Sequence, residues 1–258
     1  MYKFTPTDLE SISNLRELYF TEIKYPQELM LEWMVADGKY FKIIDIESEI
    51  GYFIKSEEDD LLEFYLTYSS LNNKEDIFRE ILTQQKINTV WCKTFDYILM
   101  TCAHTFCKSS KITGTIFRDY TPDLPVNIDS NFEIRTAQKS DIPLLKSHKS
   151  DLYESVDELY MMVDKQYILM FEKNNELYGC GFFIKILTDK NYYDIGMWVN
   201  PAYRNKGYAA QIISYLKKQC FNNGYIPVCG CAADNTASRK TLEKNGFTSK
   251  YSIITFKI

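Results

Sequence analysis

Residues Asp194 to Ala210 read DIGMWVNPAYRNKGYAA, and the order of elements inside this stretch decides how the chain is built. Asp194 to Val199 has the β-branched and aromatic content of a short strand, and Asn200-Pro201 ends it, because proline has no N–H to give to a ladder. Ala209, Ile212, Ile213, Leu216 and Cys220 then recur at helical spacing within Tyr208 to Phe221. The order is strand, basic glycine loop, helix. The first turn of a helix leaves backbone N–H groups without partners, which attracts anions, and Gly207 sets no side chain between that backbone and a ligand. Arg204 and Lys206 add two positive charges there, in a chain whose formal net charge is −5. The loop therefore suits a phosphate ester, although R-x-x-G-x-A by itself is also compatible with an ordinary surface turn.

A second signal lies downstream. Asp234 to Phe247, DNTASRKTLEKNGF, reads as a capped helix, with Asn235 or Asp234 at its start and Asn245-Gly246 as a left-handed stop. One helix and the strand Ile226 to Ala232 separate the two stretches. Together they resemble the Gcn5-related N-acetyltransferase (GNAT) superfamily, in which R-x-x-G-x-G/A is the pyrophosphate loop for acyl-coenzyme A and N-x-x-S/A…GF follows the next strand. They look most like the branch that contains the ribosomal-protein alanine acetyltransferases. The resemblance covers about the last half of the chain.

What the resemblance implies is an α/β (α+β) fold with a mixed, mostly antiparallel central sheet flanked by helices. It also implies direct transfer of an acetyl group from acetyl-CoA, as cosubstrate, to an amine acceptor, either a small molecule or a protein N-terminus. The pyrophosphate is expected on the amides of Arg204, Asn205, Lys206, Gly207, Tyr208 and Ala209. The pantetheine arm is expected to pair like an added strand along Met197, Trp198 and Val199, with Asn235 bonding it from the other side. A backbone N–H near Met197 or Val199 is placed to polarise the thioester carbonyl. Asp194 stands where relatives carry a carboxylate that acts as base directly or through water; capping the strand or pairing with a lysine is an equal reading of it. The tyrosine that many relatives place five residues before the phenylalanine of the GF pair is Leu242 here, which leaves Ser238 or a water as the acid. A serine hydroxyl is a weak acid, so orienting the coenzyme sulfur or Asn235 is an equal role for Ser238.

Composition limits the other possibilities. The mild negative charge argues against nucleic acid or an anionic membrane surface as partner. No apolar run has the length of a bilayer span, and MYKFTPTDLE lacks a signal-peptide core, so the expected location is cytoplasmic, as a monomer or homodimer. Cys92, Cys102, Cys107, Cys180, Cys220, Cys229 and Cys231 are an odd number of cysteines in a chain too long to need staples, and they read as reduced thiols, mostly in the core. Cys229-Gly230-Cys231 falls short of a four-ligand set, so no metal is expected. His104 and His148 are isolated in the sequence.

The chain also contains a fainter copy of the same order. After a linker candidate at Arg118 to Asn131, RDYTPDLPVNIDSN, come a strand at Phe132 to Thr136, a helix opened by Ser140-Asp141-Ile142-Pro143, an amphipathic stretch at Leu152 to Val163, and strands at Tyr167 to Lys173, Leu177 to Ile186 and Tyr193 to Val199. In the first half, Tyr40 to Ile46, Glu49 to Lys55 and Leu61 to Tyr68 read as strands, Ile77 to Gln85 as a helix and Thr89 to Lys93 as a strand. LLEFYLT parallels YYDIGMWV and sets Glu63 opposite Asp194; VWCKTFD parallels VCGCAAD and sets Tyr97 opposite Asn235. After Thr67 the copy reads YSSLNNKEDIF, without the arginine and glycine of the anion loop. The expected organisation is a degenerate GNAT-like domain at 1–120 that has lost coenzyme binding, a linker at 121–131, and an acetyltransferase domain at 132–258. An unrelated α/β domain of similar strand spacing is the other reading of the first half. A non-catalytic acyl-CoA sensor or interaction module is the alternative function.

Overall fold

The computed structural model describes residues 2–122, 126–148 and 152–258. They form two compact units: Met1–Ile116 with Ala232–Asp234 and Tyr251–Ile258, and Phe117–Cys231 with Asn235–Lys250. Among the described residues no helix is long and apolar enough to cross a membrane.

The first unit runs β1 (Lys3–Thr7), α1 (Ser13–Ile23), α2 (Leu29–Ala36), β2 (Lys39–Asp45), β3 (Ser48–Lys55), β4 (Asp60–Leu66), α3 (Lys74–Gln84), β5 (Thr89–Lys93), α4 (Tyr97–Phe106) and β6 (Ser109–Phe117). The second runs β7 (Glu133–Thr136), α5 (Ile142–Ser147), α6 (Val156–Asp164), β8 (Ile168–Lys173), β9 (Glu176–Lys185), β10 (Tyr192–Val199), α7 (Tyr208–Asn222), β11 (Ile226–Ala232) and α8 (Thr236–Lys244). The last strand, β12 (Tyr251–Lys257), returns to the first unit and lies between β5 and β6. Sheet order is β1-β2-β3-β4-β5-β12-β6 in the first unit and β7-β8-β9-β10-β11 in the second. Every neighbouring pair is antiparallel except β4 with β5 and β10 with β11. Both units are thus mixed, mostly antiparallel sheets flanked by helices.

Alternation along the strands sorts the cores. In the second unit Met170, Cys180 and Trp198 face Leu145, Leu159 and Met162 of α5 and α6. Phe171 and Ile195, on the opposite face, meet Ile212, Ile213 and Leu216 of α7. In the first unit Ile77, Phe78 and Ile81 of α3, with Leu99 and Cys102 of α4, cover Phe53, Phe64 and Val90.

Two boundaries depart from the division drawn on sequence. Residues 251–258 belong to the first unit because β12 pairs in register with β5, Ile254 opposite Cys92 and Phe256 opposite Val90, and Phe256 is fully buried there. The described part of the linker belongs to the second unit: Asp129 pairs with Lys173 at 2.7 Å, and its N–H donates to Gln211 at 2.9 Å. The linker residues 123–125 lie outside the described set. Of the two caps offered by the sequence, Asp141 is the N-cap of the helix at Ile142; its carboxylate makes no bond to that helix and instead closes a capping box with Gln138 over the preceding turn. The stretch read from Leu152 becomes helical only at Val156, where Ser155 accepts from the Glu158 N–H at 3.1 Å. In the copy, Asp96 caps α4 by accepting from the Leu99 N–H, so the cap stands one residue before Tyr97.

Candidate active site

β10 is paired along its whole length with β9, from Gly179 opposite Val199 to Lys185 opposite Tyr193. Its pairing with β11 is brief: Tyr192, Tyr193 and Asp194 stand opposite Ile226, Pro227 and Val228, and the ladder ends there. From Ile195 to Val199 the two parallel strands part, which leaves one main-chain edge of β10 facing an opening. α7 is seated against this part of the sheet by two glycines. A Cβ at Gly179 would lie 2.5 Å from the Trp198 carbonyl oxygen and 2.8 Å from Ile212, and one at Gly181 would crowd Leu216 and Ile212 at 3.1–3.2 Å. Close seating fixes where the helix begins.

The loop before α7 is held by local bonds. Asn200 accepts from the Ala202 N–H at 3.1 Å and donates to the Leu177 carbonyl at 2.9 Å. Asn205 (φ 62°) and Gly207 (φ 86°) both take left-handed backbone, the first tolerated by asparagine and the second natural to glycine. Gly207 is the N-cap and no side chain caps the helix, so the first-turn amides stay available. Tyr203 stacks on Tyr178 with ring centroids 3.9 Å apart and donates its hydroxyl to Glu176; that bond, with burial, pushes the phenol up to about 12. The stacked pair, edge-on to Tyr208 at 5.1 Å, pins the turn. Nothing in the sequence reading singled out Tyr203; its spacing of five residues from Tyr208 was the available signal.

A cleft of about 740 Å³ opens at the parting of the strands, bounded by β10, the α7 loop and α8. It brings together Met197, Trp198, Val199, Arg204, Asn205, Gly207, Tyr208, Ala209, Asn235 and Ser238. Tyr203, Thr236, Ala237, Lys240, Thr241 and Lys244 join them, and among the described residues no aspartate or glutamate lines the cleft. Arg204 donates from Nε to the Val199 carbonyl at 3.1 Å, which holds the guanidinium at the end of β10. Lys206 is not on the lining: its ammonium lies 5.3 Å over the Tyr203 ring and reaches the Ala202 carbonyl at 3.5 Å. On the far wall Asn235 caps α8 through its side-chain oxygen, which accepts from the Ser238 N–H at 3.0 Å, so its amide N–H2 is left as the donor end of the side chain. The Ser238 hydroxyl is hydrogen-bonded with the half-buried Cys231 thiol, whose pKa burial raises despite Arg239 and that bond.

Asp194 is not on the lining. It sits at the last paired position of β10 and β11, between Ile184 and Val228, half-buried on the face that also carries Trp198. Leu242 is buried in the α7 core, so the residue that replaces the usual tyrosine is turned away from solvent.

The first unit has the same parting of strands: Asp60 and Leu61 pair with Thr89 and Val90, and the ladder between β4 and β5 stops. The space there is closed. A cavity of about 10 Å³ remains, lined by Tyr19, Phe64, Tyr65, Phe95 and Tyr97 among others. Glu63, the counterpart of Asp194, is fully buried and accepts from Arg16 (2.7 Å), Gln27 (2.8 Å) and Tyr52 (2.9 Å). Arg16 also binds Glu32 at 2.7 Å. Burial pushes the Glu63 carboxyl up, but Arg16, then Lys93 and Tyr52, hold it below the usual range; Glu32 is raised by burial against the pull of Arg16. Lys93 and Asp96 form a second buried pair at 3.5 Å, and Tyr19 donates to Asp96 at 2.8 Å.

Two family models match the chain, "Acetyltransferase (GNAT) domain" over residues 8–120 and "Acetyltransferase (GNAT) family" over residues 131–247. The chain is a tandem GNAT protein. A GNAT-family acetyltransferase from Colwellia psychrerythraea shares the fold with a TM-score of 0.88 at 16% identity, with 99% of each chain covered. A tandem GNAT protein from the clavulanic acid biosynthesis pathway, solved without acetyl-CoA, aligns with a TM-score of 0.66 at 9% identity over 100% of this chain and 98% of its own. A GCN5-related N-acetyltransferase from Sphaerobacter thermophilus gives 0.66 at 10% identity over 99% and 95%. No curated protein matches the chain in sequence. The two GNAT copies found in sequence are therefore both real, and the unrelated-domain reading of the first half is set aside. GNAT membership makes acetyl transfer the general chemistry of the tandem protein.

Proposed function

We propose that the second unit of this tandem GNAT protein binds acetyl-CoA and transfers its acetyl group to an amine by direct attack. The observation that carries the reading is the parting of β10 and β11 beside an uncapped helix start, in a cleft whose charged lining residues, among those described, are all cationic. The α7 first-turn amides and Arg204 suit a pyrophosphate. The unpaired edge of Met197 to Val199 suits an amide-bearing arm, and the N–H2 of Asn235 is a donor for a carbonyl on it. Acetyl-CoA supplies an activated acyl carbonyl. This chain's own tasks are to hold that arm, to point a main-chain N–H at the carbonyl oxygen, and to move protons.

An alkylammonium with a pKa of about 10 must lose a proton before it can attack. Asp194 is the assigned base. It stands one strand-repeat before Gly196, over which the Phe182 ring packs, and because it lies off the cleft lining, a water relaying the proton fits better than direct contact. Ser238, on the lining and next to Cys231, is assigned to the departing sulfur as donor or orienting group. The first unit is a GNAT copy that no longer binds the coenzyme: its counterpart space is filled by aromatic rings and its counterpart carboxylate is engaged by Arg16.

Calorimetry with acetyl-CoA, followed by thiol release against a panel of amines, tests the reading. Binding and turnover on at least one amine are expected; absence of binding at millimolar coenzyme overturns it. The burial of Leu242 in place of a cleft tyrosine favours a second reading, a non-catalytic acyl-CoA sensor. Binding without turnover on any amine would select it.

A further inference from the structure

The charges buried in the first unit do not balance. Arg16, Glu32, Glu63, Lys93 and Asp96 are all buried, and they belong to one hydrogen-bonded network. Asp96 accepts from Tyr19 at 2.8 Å; Lys93 donates to the same Tyr19 hydroxyl at 2.8 Å and to Gln27 at 3.0 Å. Gln27 donates to Glu63 at 2.8 Å, and Arg16 donates to Glu63 and to Glu32, each at 2.7 Å. Among the described residues three carboxyls of this network thus share two cations. With every group in its ordinary form it would hold one uncompensated negative charge away from water, a state that a protein interior avoids by keeping a proton.

The donors show which carboxyl keeps it. Glu63 accepts at both oxygens, Oε1 from Arg16 and Gln27 and Oε2 from Arg16 and Tyr52. Asp96 accepts at Oδ1 from the Leu99 N–H and at Oδ2 from Tyr19, with the Lys93 ammonium 3.5 Å away. Glu32 has Arg16 on Oε2, and its buried Oε1 has no hydrogen-bond partner. Donors favour the charged form of a carboxyl, so the carboxyl with the fewest is the one left neutral. The groups around Glu32 agree. Arg16 of α1 pulls its carboxyl down, and the Gln27 amide does so least; burial, the largest influence, and the charge of Glu63 on β4 push it up, and the balance is upward. Tyr52 of β3 spends its hydroxyl on Glu63, and Tyr40 of β2 spends its own on the carbonyls of Val35 and Ala36. Glu32 is the one charged residue of α2. We propose that the network carries one proton at neutral pH, seated on Glu32, and that loss of this proton in alkali unfastens α2: a pH-sensitive latch in the copy whose coenzyme space is closed.

Infrared difference spectra of the full chain and of Glu32→Gln at neutral pH read the proton itself. The parent-minus-variant spectrum is expected to show the C=O stretch of a protonated carboxyl; a carboxylate band in its place overturns the assignment. Thermal scans from acid to mild alkali give the sign. A carboxyl whose folded pKa lies above its ordinary 4.5 gives the folded state the extra proton, so stability is full below that pH and is lost as pH rises through the folded value. Glu32→Gln, which cannot ionise, should therefore gain on the parent by about 3–5 °C of Tm for each pH unit climbed within that window. A variant that loses ground instead has lost an ionised partner of Arg16, which overturns the proposal. Hydrogen exchange in mild alkali locates the effect: the α2 amides should exchange faster in the parent than in the variant, with the α7 amides alike, and α2 amides that exchange alike overturn the latch. Glutamine is the neutral isostere of a protonated glutamate, so a Glu32→Gln chain that fails to fold also counts against it.

Discussion

Two glycines of α7 allow the anion cradle to be tested against its own stability effect. Gly207 at the start of the helix (φ 86°) and Gly224 just past its end (φ 70°) both take left-handed backbone, and at both an added Cβ meets nothing within 4 Å. A methyl group therefore costs the same kind of strain at each, about 1–2 kcal/mol, and no clash. At about 2–4 °C per kcal/mol for a chain of this size, Gly207→Ala and Gly224→Ala should each lower Tm by roughly 2–8 °C. Only Gly207 lines the cleft. A methyl there keeps an anion from amides whose bonds to a charged group contribute about 1.5–3 kcal/mol each, so losing two of them weakens coenzyme binding roughly a hundredfold or more. Gly224→Ala should leave binding at the parent value. Gly207→Glu, which adds a carboxylate to the cradle, should abolish binding. Differential scanning calorimetry and titration calorimetry on the same samples read both quantities. If Gly207→Ala loses stability as Gly224→Ala does but binds acetyl-CoA as the parent does, the helix start is an ordinary turn and the cradle argument is wrong.

Three further outcomes follow from the same geometry. Asp194→Asn should lower turnover at least tenfold, with coenzyme affinity nearly unchanged because Asp194 is off the cleft lining; an unaltered pH–rate profile would remove it as the base. Arg16→Met in the first unit strands Glu32 and Glu63 as buried carboxylates and should cost about 3–5 kcal/mol, measured by urea unfolding, whereas Glu32→Gln keeps the Arg16–Glu63 bonds and should cost much less; equal losses would show that the triad is not the structural centre assigned here. Glu63 has a lower pKa folded than its ordinary 4.5, so its contribution is present above that pH and is lost as pH falls; the stability gap between the parent and Glu63→Gln should therefore be widest near neutrality and narrow below about pH 4.5, and a gap that widens in acid would contradict the sign.

How much of this was legible beforehand depends on where the information lies. The turn at Pro201, the helix from Tyr208, the strand at Ile226 and the stop at Gly246 are written in local chemistry, in proline, glycine and apolar spacing, and sequence alone places each within a residue or so of the structure. The loop residues converge with Asn235 and Ser238 because each stretch follows one of two neighbouring parallel strands and so leaves the sheet at the same end. What stayed hidden is non-local. Lys240 and Lys244 look like any solvated pair on a surface helix until the cleft is seen beside them. Lys206, which by spacing belongs with Arg204, is drawn back over Tyr203 instead.

The two copies show most clearly why the strand pattern cannot report function. Both keep the brief parallel pairing followed by a parting of strands, because that geometry comes from backbone registers that the fold itself requires. They differ in what occupies the gap. In the second unit Gly207 and the cationic lining leave about 740 Å³ open, whereas in the first Tyr19, Phe95 and Tyr97 reduce the corresponding space to about 10 Å³. The carboxylate has followed the same course. A buried glutamate without a partner is costly, and in the first unit the guanidinium of Arg16 is the cation that offsets it. Arg16 comes from α1, far upstream of Glu63, and so leaves no motif. The ion triad therefore sets the two copies apart: with Arg16 bound to both of its oxygens, the Glu63 carboxylate is held in its charged form and committed to partners inside the first unit.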